Sequence, residues 1–426
     1  MSKKVFSKCS LPRYIIFFVI FISFSLNGLI DIPLHGDEST WIFMSKNYET
    51  LIHFDFSNAI WDESFWTLTQ PPVAGYIIGI GRTIGGYNAD NINQPYDFFL
   101  SEEENIERGA IPEDNLLWWS RLPMAILASV SFLLLTVLME HSFSVLASYI
   151  TFIFILCNTY LFYCLRLALG ESSLFFFYSL AVAFACLAFS TWKKNNTSTK
   201  SKIIKTSLYF ILMSFFIGLS TASKINGGAA VIAGVIVSIC IGFSEPTKQV
   251  KSWFIWGMPT IIGNVSFLTF FLVNPFLYKN PIVNSLKLFL FRTHEMGLQQ
   301  NLFPKFQISG LKEHISTNFI RIFQNYSTIS FPGAYTLNFS LFILGVVVIW
   351  KIWKKHKTFS PTAFVLLLFY IVLSIPSLTT PLDYPRYFLF PVVLSQIIII
   401  IAITTILRLI TNQIKSRFTK AEYSPS

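Results

Sequence analysis

The sequence predicts an all-α protein that crosses a membrane many times, and three observations predict it. Hydrophobic residues make up 53% of the chain and charged residues only 13%, against roughly 25% charged in an ordinary soluble domain. The apolar residues run in long blocks, not in the one-sided stripes of soluble helices. Alternate blocks are separated by short loops rich in lysine and arginine, the pattern that keeps a loop on the cytoplasmic side during insertion.

A helix needs about 20 apolar residues to cross a hydrocarbon core of about 30 Å. Runs near that length fall at about 13–30, 116–138, 142–160, 171–191, 204–221, 225–243, 253–273, 336–352, 360–378 and 387–408. The first follows a basic stretch, as a signal peptide would. No small-residue cleavage site comes after it, so it is expected to stay as an anchor. Ten spans return the C-terminus to the side of the N-terminus, the cytoplasm. The basic clusters then all share that side: Lys3, Lys4, Lys8 and Arg13; Lys193, Lys194, Lys200, Lys202 and Lys205; Lys248 and Lys251; Lys351 to Lys357; Arg408 to Lys420. They hold 19 of the 32 basic residues and face only Glu140, Glu245 and Glu422. The net charge of +10 is therefore topogenic and implies no nucleic-acid partner. Cys9, Cys157, Cys164, Cys186 and Cys240 show no metal-ligand spacing, and no disulfide framework is expected.

Residues 71–87 fit this scheme least. The segment is apolar but short, carries five glycines and contains Arg82. Counted as a span, it would send every later lysine cluster outside, so it is expected on the outer face as an interfacial or re-entrant segment. Just before it, Trp41, Met44, Tyr48 and Leu51 recur at helical spacing, which predicts one surface helix over 39–52. The chain thus reads as a single transmembrane domain with two large outer regions, about 31–115 and 274–335. The acidic stretch 88–115 reads as a solvated loop.

Candidate chemistry gathers on the same outer face. Asp37 and Glu38, after His35-Gly36, offer a general base or a metal ligand at a membrane exit. A helix N-cap at Asp37, with Glu38 favoured by the dipole, explains the pair equally well. Arg166 and Glu171 flank the start of the fourth span, where charge faces a cavity or a partner; a salt bridge or a snorkelling arginine is the alternative. Lys224, in the turn between spans five and six, breaks the positive-inside pattern and suggests something anionic outside. Arg386, beside Tyr387, places a planar donor at headgroup depth, suited to phosphate. Arg121 and the run Arg292-Thr293-His294-Glu295 also face outward; His294 reads as a surface polar group or, alternatively, a metal ligand. An acid to take a proton and cations to hold a phosphate are what glycosyl transfer from a lipid phosphate requires.

In this order and placement the motifs resemble those of the GT-C class of membrane glycosyltransferases. The resemblance is to the family of protein O-mannosyltransferases and the lipid A aminoarabinose transferase. It rests on Gly36-Asp37-Glu38, Gln70-Pro71-Pro72-Val73-Ala74-Gly75-Tyr76, Arg121-Leu122-Pro123, Glu171, the turn from Gly218 to Lys224, and Pro385-Arg386-Tyr387, across about residues 13–400. It implies a GT-C-like bundle with outer surface helices, a polyprenyl-phosphate-linked sugar donor, an acceptor hydroxyl on protein, lipid or glycan, and inversion at the anomeric carbon. Asp37 would then be the base, with Glu38 beside it and Glu171 the second carboxylate. Lys224, Arg166, Arg386, Tyr387 and Arg121 would hold the donor phosphate, and His35, Gln70, His294 and Glu295 would serve the acceptor. Members of the family differ over a divalent cation; none is expected here, and one remains the open alternative.

Three departures from the family pattern stand out: Glu171 where Asp is common, Gln70 where a base is common, and no large soluble domain expected after the last span. Two rivals make no sugar transfer. A headgroup flippase would set ionisable groups near the bilayer midplane in broken, repeated helices, a pattern this sequence lacks. A non-catalytic subunit would have no need of the acidic pair.

Overall fold

The computed structural model describes residues 10–193, 198–356 and 360–422. Lys3, Lys4, Lys8, Cys9, Lys194 and Lys357 lie outside the described residues. Every one of the ten apolar runs folds as helix, and among the described residues no strand forms; one isolated bridge joins Gln307 and Leu382. Among the described residues eight helical segments are long and apolar enough to cross a membrane. The first run is the shorter α1 (Ser10–Leu26). The run at 142–160, expected as one straight span, is instead α8 (Val145–Leu156) and α9 (Thr159–Arg166), bent by 70°. Asn158 makes the break: its side chain accepts from Leu161 N–H at 2.9 Å and donates to the Tyr326 carbonyl at 3.1 Å, competing with the helical ladder.

Between α1 and the next span lie α2 (Gly36–Met44), α3 (Asn47–Ile52), α4 (Phe65–Thr69), α5 (Pro72–Ile84) and α6 (Glu102–Glu107). The single surface helix expected over 39–52 is two helices, α2 and α3, separated at Ser45–Lys46. Arg82 explains the break. Fully buried, it donates to the Ser45 hydroxyl at 2.6 Å, the Ser45 carbonyl at 3.1 Å and Glu49 at 2.5 Å, drawing on the chain where a straight helix would continue. With 13 residues, α5 reaches about 20 Å and is too short to span. Its glycines let it wedge between neighbours: a Cβ on Gly81 would stand 2.4 Å from the Trp119 carbonyl oxygen, and one on Gly79 2.4 Å from Tyr48 Cβ.

The remaining spans are α7 (Asp114–Ser142), α10 (Gly170–Lys193), α11 (Thr199–Ser223), α12 (Ala230–Phe243, entered through a 3₁₀ turn at Ile225–Ala229), α13 (Lys248–Ser252) continuing into α14 (Met258–Leu272), then α17 (Ala334–His356), α18 (Pro361–Leu378) and α19 (Leu389–Glu422). Alternation along these helices puts Lys193, Lys205, Lys248 and Lys351 at one end and the two long connections at the other. Contacts at the lysine end include Arg13 with Glu140 and Lys193 with Ser244. The second connection is helical as well, with α15 (Pro281–Leu302) and α16 (Gly310–Ile320). It joins the first through α15 on α4 and through ion pairs Lys279–Asp62 and Lys287–Glu63, each 2.5 Å.

Glu38 and Arg121 anchor the junction from beneath. Both side chains are 0% exposed. Arg121 spends all five N–H groups: on the two Glu38 oxygens at 2.8 and 2.6 Å, and on the carbonyls of Leu29, Ile32 and Pro33 left over past the end of α1. Glu38 also accepts from Ala168 N–H at 2.7 Å and His35 N–H at 3.1 Å, so one carboxylate ties α2, α7 and the α9–α10 link together. Removing one partner of such a pair leaves a buried charge unmatched, at about 3–5 kcal/mol. Glu38→Ala is therefore expected to lower the thermal unfolding midpoint in detergent by many degrees; a midpoint within a degree or two of native would contradict this anchoring role.

Candidate functional site

Asp37 enters the site because His35 starts α2. The sequence allowed Asp37 as the N-cap; in the structure the cap is His35, whose Nδ1 accepts from Asp37 N–H at 3.2 Å while Glu38 accepts from His35 N–H. Asp37 itself is freed to face the interior of the bundle end. Burial pushes the His35 imidazole below its ordinary pKa although Asp37 opposes the shift, and a neutral ring keeps Nδ1 available as acceptor. Burial alone would raise the Asp37 pKa. The Arg386 guanidinium paired with it, helped by Lys224, outweighs burial and holds the carboxylate below its ordinary range.

Glu171 lies in the first turn of α10, where the helix dipole favours an anion. Gly170 before it lets that turn reach the end of α11, since a Cβ there would stand 3.0 Å from the Ser223 carbonyl oxygen. Lys224 closes α11 in extended backbone and pairs with Glu171 at 2.5 Å. Arg386 sits on the 3₁₀ turn Pro385–Phe388 that opens the last span, paired to Asp37 and with Nε 3.9 Å from Glu171. This turn is braced on two sides: Tyr160 donates to the Pro385 carbonyl at 2.6 Å, and Arg321 grips Asp383 at 2.9 and 2.5 Å. The Tyr387 ring lies 5.4 Å from Lys224 Nζ, and its hydroxyl accepts from Arg292 at 2.7 Å. Arg292 pairs in turn with Glu295, which accepts from Gln299 at 2.6 Å.

The ion-paired Asp37, Glu171, Lys224, Arg386, Arg292 and Glu295 line one cavity of about 1100 Å³ together with Tyr387. Its lining combines Asp37, Trp66, Tyr96 and Phe98 from the first connection and Arg292 from the second with Val231, Gly263, Phe267 and Phe390 from the spans. The result is a charged head chamber continuous with an apolar cleft.

Of the residues proposed from sequence, Asp37, Glu171, Lys224, Arg386 and Tyr387 come together here, with Gln70 and Glu295 also on the wall. Glu38 and Arg121 do not line the cavity; they are occupied with each other. Arg166 donates instead to the Asn27 carbonyl at 2.7 Å, past the end of α1. His35 stands behind Asp37 as its helix cap, and His294 is exposed off the wall. The sequence reading passed over Tyr96, Phe98, Arg108, Trp66 and Asn226. Aromatic residues at 96, 98 and 99 inside an otherwise acidic, polar loop were the available signal. The acids of that loop, Glu102 to Glu104, are exposed as expected, while Tyr96 and the half-exposed Phe98 line the chamber.

Among the described residues no group of three His, Cys, Asp or Glu side chains is close enough to share a metal ion. Asp37 and Glu171 each pair with a cation, Arg386 and Lys224 respectively.

The sequence matches no known family description and no curated protein. The fold matches solved structures. The oligosaccharyltransferase AglB from Archaeoglobus fulgidus, in complex with an inhibitory peptide and a dolichol-phosphate, superposes with a TM-score of 0.54 at 14% identity, over 99% of this chain and 53% of that one. ArnT from Cupriavidus metallidurans, bound to undecaprenyl phosphate, gives 0.51 at 14% identity, over 91% of this chain and 59% of that one. The chain therefore spans little more than half the length of the structures it matches. It shares with them the GT-C fold of membrane glycosyltransferases.

Proposed function

We propose that the protein is an inverting glycosyltransferase that moves a sugar from a polyprenyl-phosphate carrier to an acceptor hydroxyl on the outer side of the membrane. The observation that carries this reading is the continuity of the chamber: two carboxylates and two cations at its head, an apolar cleft between spans below. A lipid-phosphate sugar has the same division into charged head and apolar tail. Two structures that share the fold hold dolichol-phosphate and undecaprenyl phosphate, which supports a lipid phosphate here. The lysine-rich loops at the opposite end favour a cytoplasmic placement for that end and an outward one for the site.

The donor phosphate, carrying one negative charge, binds Lys224 and Arg386. Lys224 has three N–H donors and pairs with one carboxylate, and Arg386 Nε has no hydrogen-bond partner among the described residues. Both cations can therefore engage phosphate oxygens. The acceptor oxygen attacks the anomeric carbon from the face opposite the phosphate, and the bond from that carbon to the phosphate oxygen breaks. The acceptor proton passes to Asp37. Asp37 loses its negative charge as the leaving phosphate gains its second, so the net charge of this low-dielectric cluster stays constant. Phosphate binding also draws Arg386 away from Asp37, which raises the proton affinity of the base when it is needed. Glu171 holds Lys224 in place.

The test is turnover by purified protein in nanodiscs, given polyprenyl-phosphate sugars and a membrane extract as acceptor source, with released polyprenyl phosphate read by mass spectrometry. Release well above a protein-free control is expected from at least one donor; release from none would contradict the reading.

A further inference from the structure

We infer that the group transferred is a neutral, polyhydroxylated sugar, recognised through the amide side chains of Gln70 and Asn226; this rests on the transfer reaction proposed above. The described charged side chains lining the chamber balance completely: Asp37 with Arg386, Glu171 with Lys224, Glu295 with Arg292, and Asp97 with Arg108. An amino sugar would bring an ammonium group that needs a carboxylate, and a uronic acid would bring a carboxylate that needs a cation. None of these charged side chains is left over for either. Phosphate uses the spare donors of Lys224 and Arg386, so Glu171 stays committed to Lys224, and Asp37 is reserved for the acceptor proton.

The groups that are left over are neutral. The amide oxygens of Gln70, Asn226 and Gln299 and the hydroxyl of Thr380, buried atoms of residues on the wall, have no hydrogen-bond partner among the described residues. A sugar hydroxyl both donates and accepts, so one amide matches a pair of neighbouring hydroxyls. Position adds to chemistry. Asn226 is two residues past Lys224, in the 3₁₀ turn that follows it, so a phosphate on Lys224 brings its sugar beside Asn226. Gln70 approaches on a different segment, at the end of α4, where its N–H donates to the Trp66 carbonyl at 2.9 Å. Trp66, one turn earlier, lines the same chamber and offers an apolar face for the C–H face of a pyranose or furanose ring.

The experiment compares polyprenyl phosphates carrying a neutral hexose, a neutral pentose, an amino pentose and a uronic acid, on native protein and on Asn226→Asp and Gln70→Glu in nanodiscs. A neutral sugar is expected to turn over at least tenfold faster than both charged ones. Each substitution is expected to lower kcat/KM for the neutral sugar at least tenfold, chiefly through KM. Binding of sugar-free polyprenyl phosphate should remain as in native protein, which reports that the variants are folded. Preference for the amino or the acidic sugar overturns the inference and leaves the transfer reaction standing. Unchanged KM in both variants overturns the role given to Gln70 and Asn226. No release from any donor by native protein overturns the transfer reading, and this inference with it.

Discussion

Asp37→Asn is expected to cut kcat by about 10³-fold while donor affinity stays within a few-fold of native. A positioned general base typically contributes about 10²–10⁴-fold, and Asn cannot take the acceptor proton. It also fails to cancel the second charge of the leaving phosphate, so the loss should exceed the lower end of that range. Donor affinity should survive because the amide replaces a carboxylate of the same shape and leaves Arg386 more available to phosphate. Side-by-side turnover and binding of one donor checks both halves. Native-like turnover in Asp37→Asn would remove Asp37 from the role of base.

Arg386→Ala should be nearly as damaging to turnover, by a different route. The cluster of Asp37, Glu171, Lys224 and Arg386 is balanced at two negative and two positive charges. Without Arg386 it is net negative before an anionic donor arrives. Loss of a donor aimed at developing charge costs about 10²–10³-fold in kcat, and KM for the donor should rise as well. Stability falls too, by about 1–3 kcal/mol, the range for a lost charged hydrogen-bond partner.

The pH dependence carries a definite sign. Arg386 holds the folded-state pKa of Asp37 below its ordinary value of about 3.9. The stabilisation from this pair is therefore present above that value and is lost as pH falls through the depressed one. In Arg386→Ala the largest charge opposing burial is gone, so the Asp37 pKa rises. The acid limb of kcat/KM, which reports the free enzyme, should move to higher pH. An unmoved acid limb would mean that the limb belongs to another group.

Much of this arrangement is legible in the sequence, because membranes make few demands and make them strictly. A run of apolar residues near 20 must become a helix, and lysine-rich loops fix which ends lie together. That is enough to bring Asp37, Glu171, Lys224 and Arg386 to one end of the bundle from four distant stretches. What stays hidden is which charges are already spent. Arg121 and Arg166 look as available as Arg386, yet both are consumed by carbonyls left open around the end of α1. No sequence pattern marks where an unpaired carbonyl will fall in space. Glu38 and Asp37 are adjacent and chemically alike, but a helix turns neighbours about 100° apart; one meets Arg121 in the interior and the other meets the chamber. The bend at Asn158 and the place of Tyr96 and Phe98 on the chamber wall depend on tertiary partners, Tyr326 in one case and the rest of the cavity lining in the other.

The central claim is that the bond broken joins the anomeric carbon to a phosphate oxygen. It is tested most directly with a donor labelled with ¹⁸O at the oxygen bridging sugar and phosphorus. Native protein in nanodiscs is given this donor and an acceptor extract, and the released lipid is weighed by mass spectrometry. Transfer at the Asp37 and Arg386 site predicts that the label leaves with the polyprenyl phosphate and that its release falls away in Asp37→Asn. Label retained by the sugar, or donor that crosses the bilayer with its bond intact, would contradict the account.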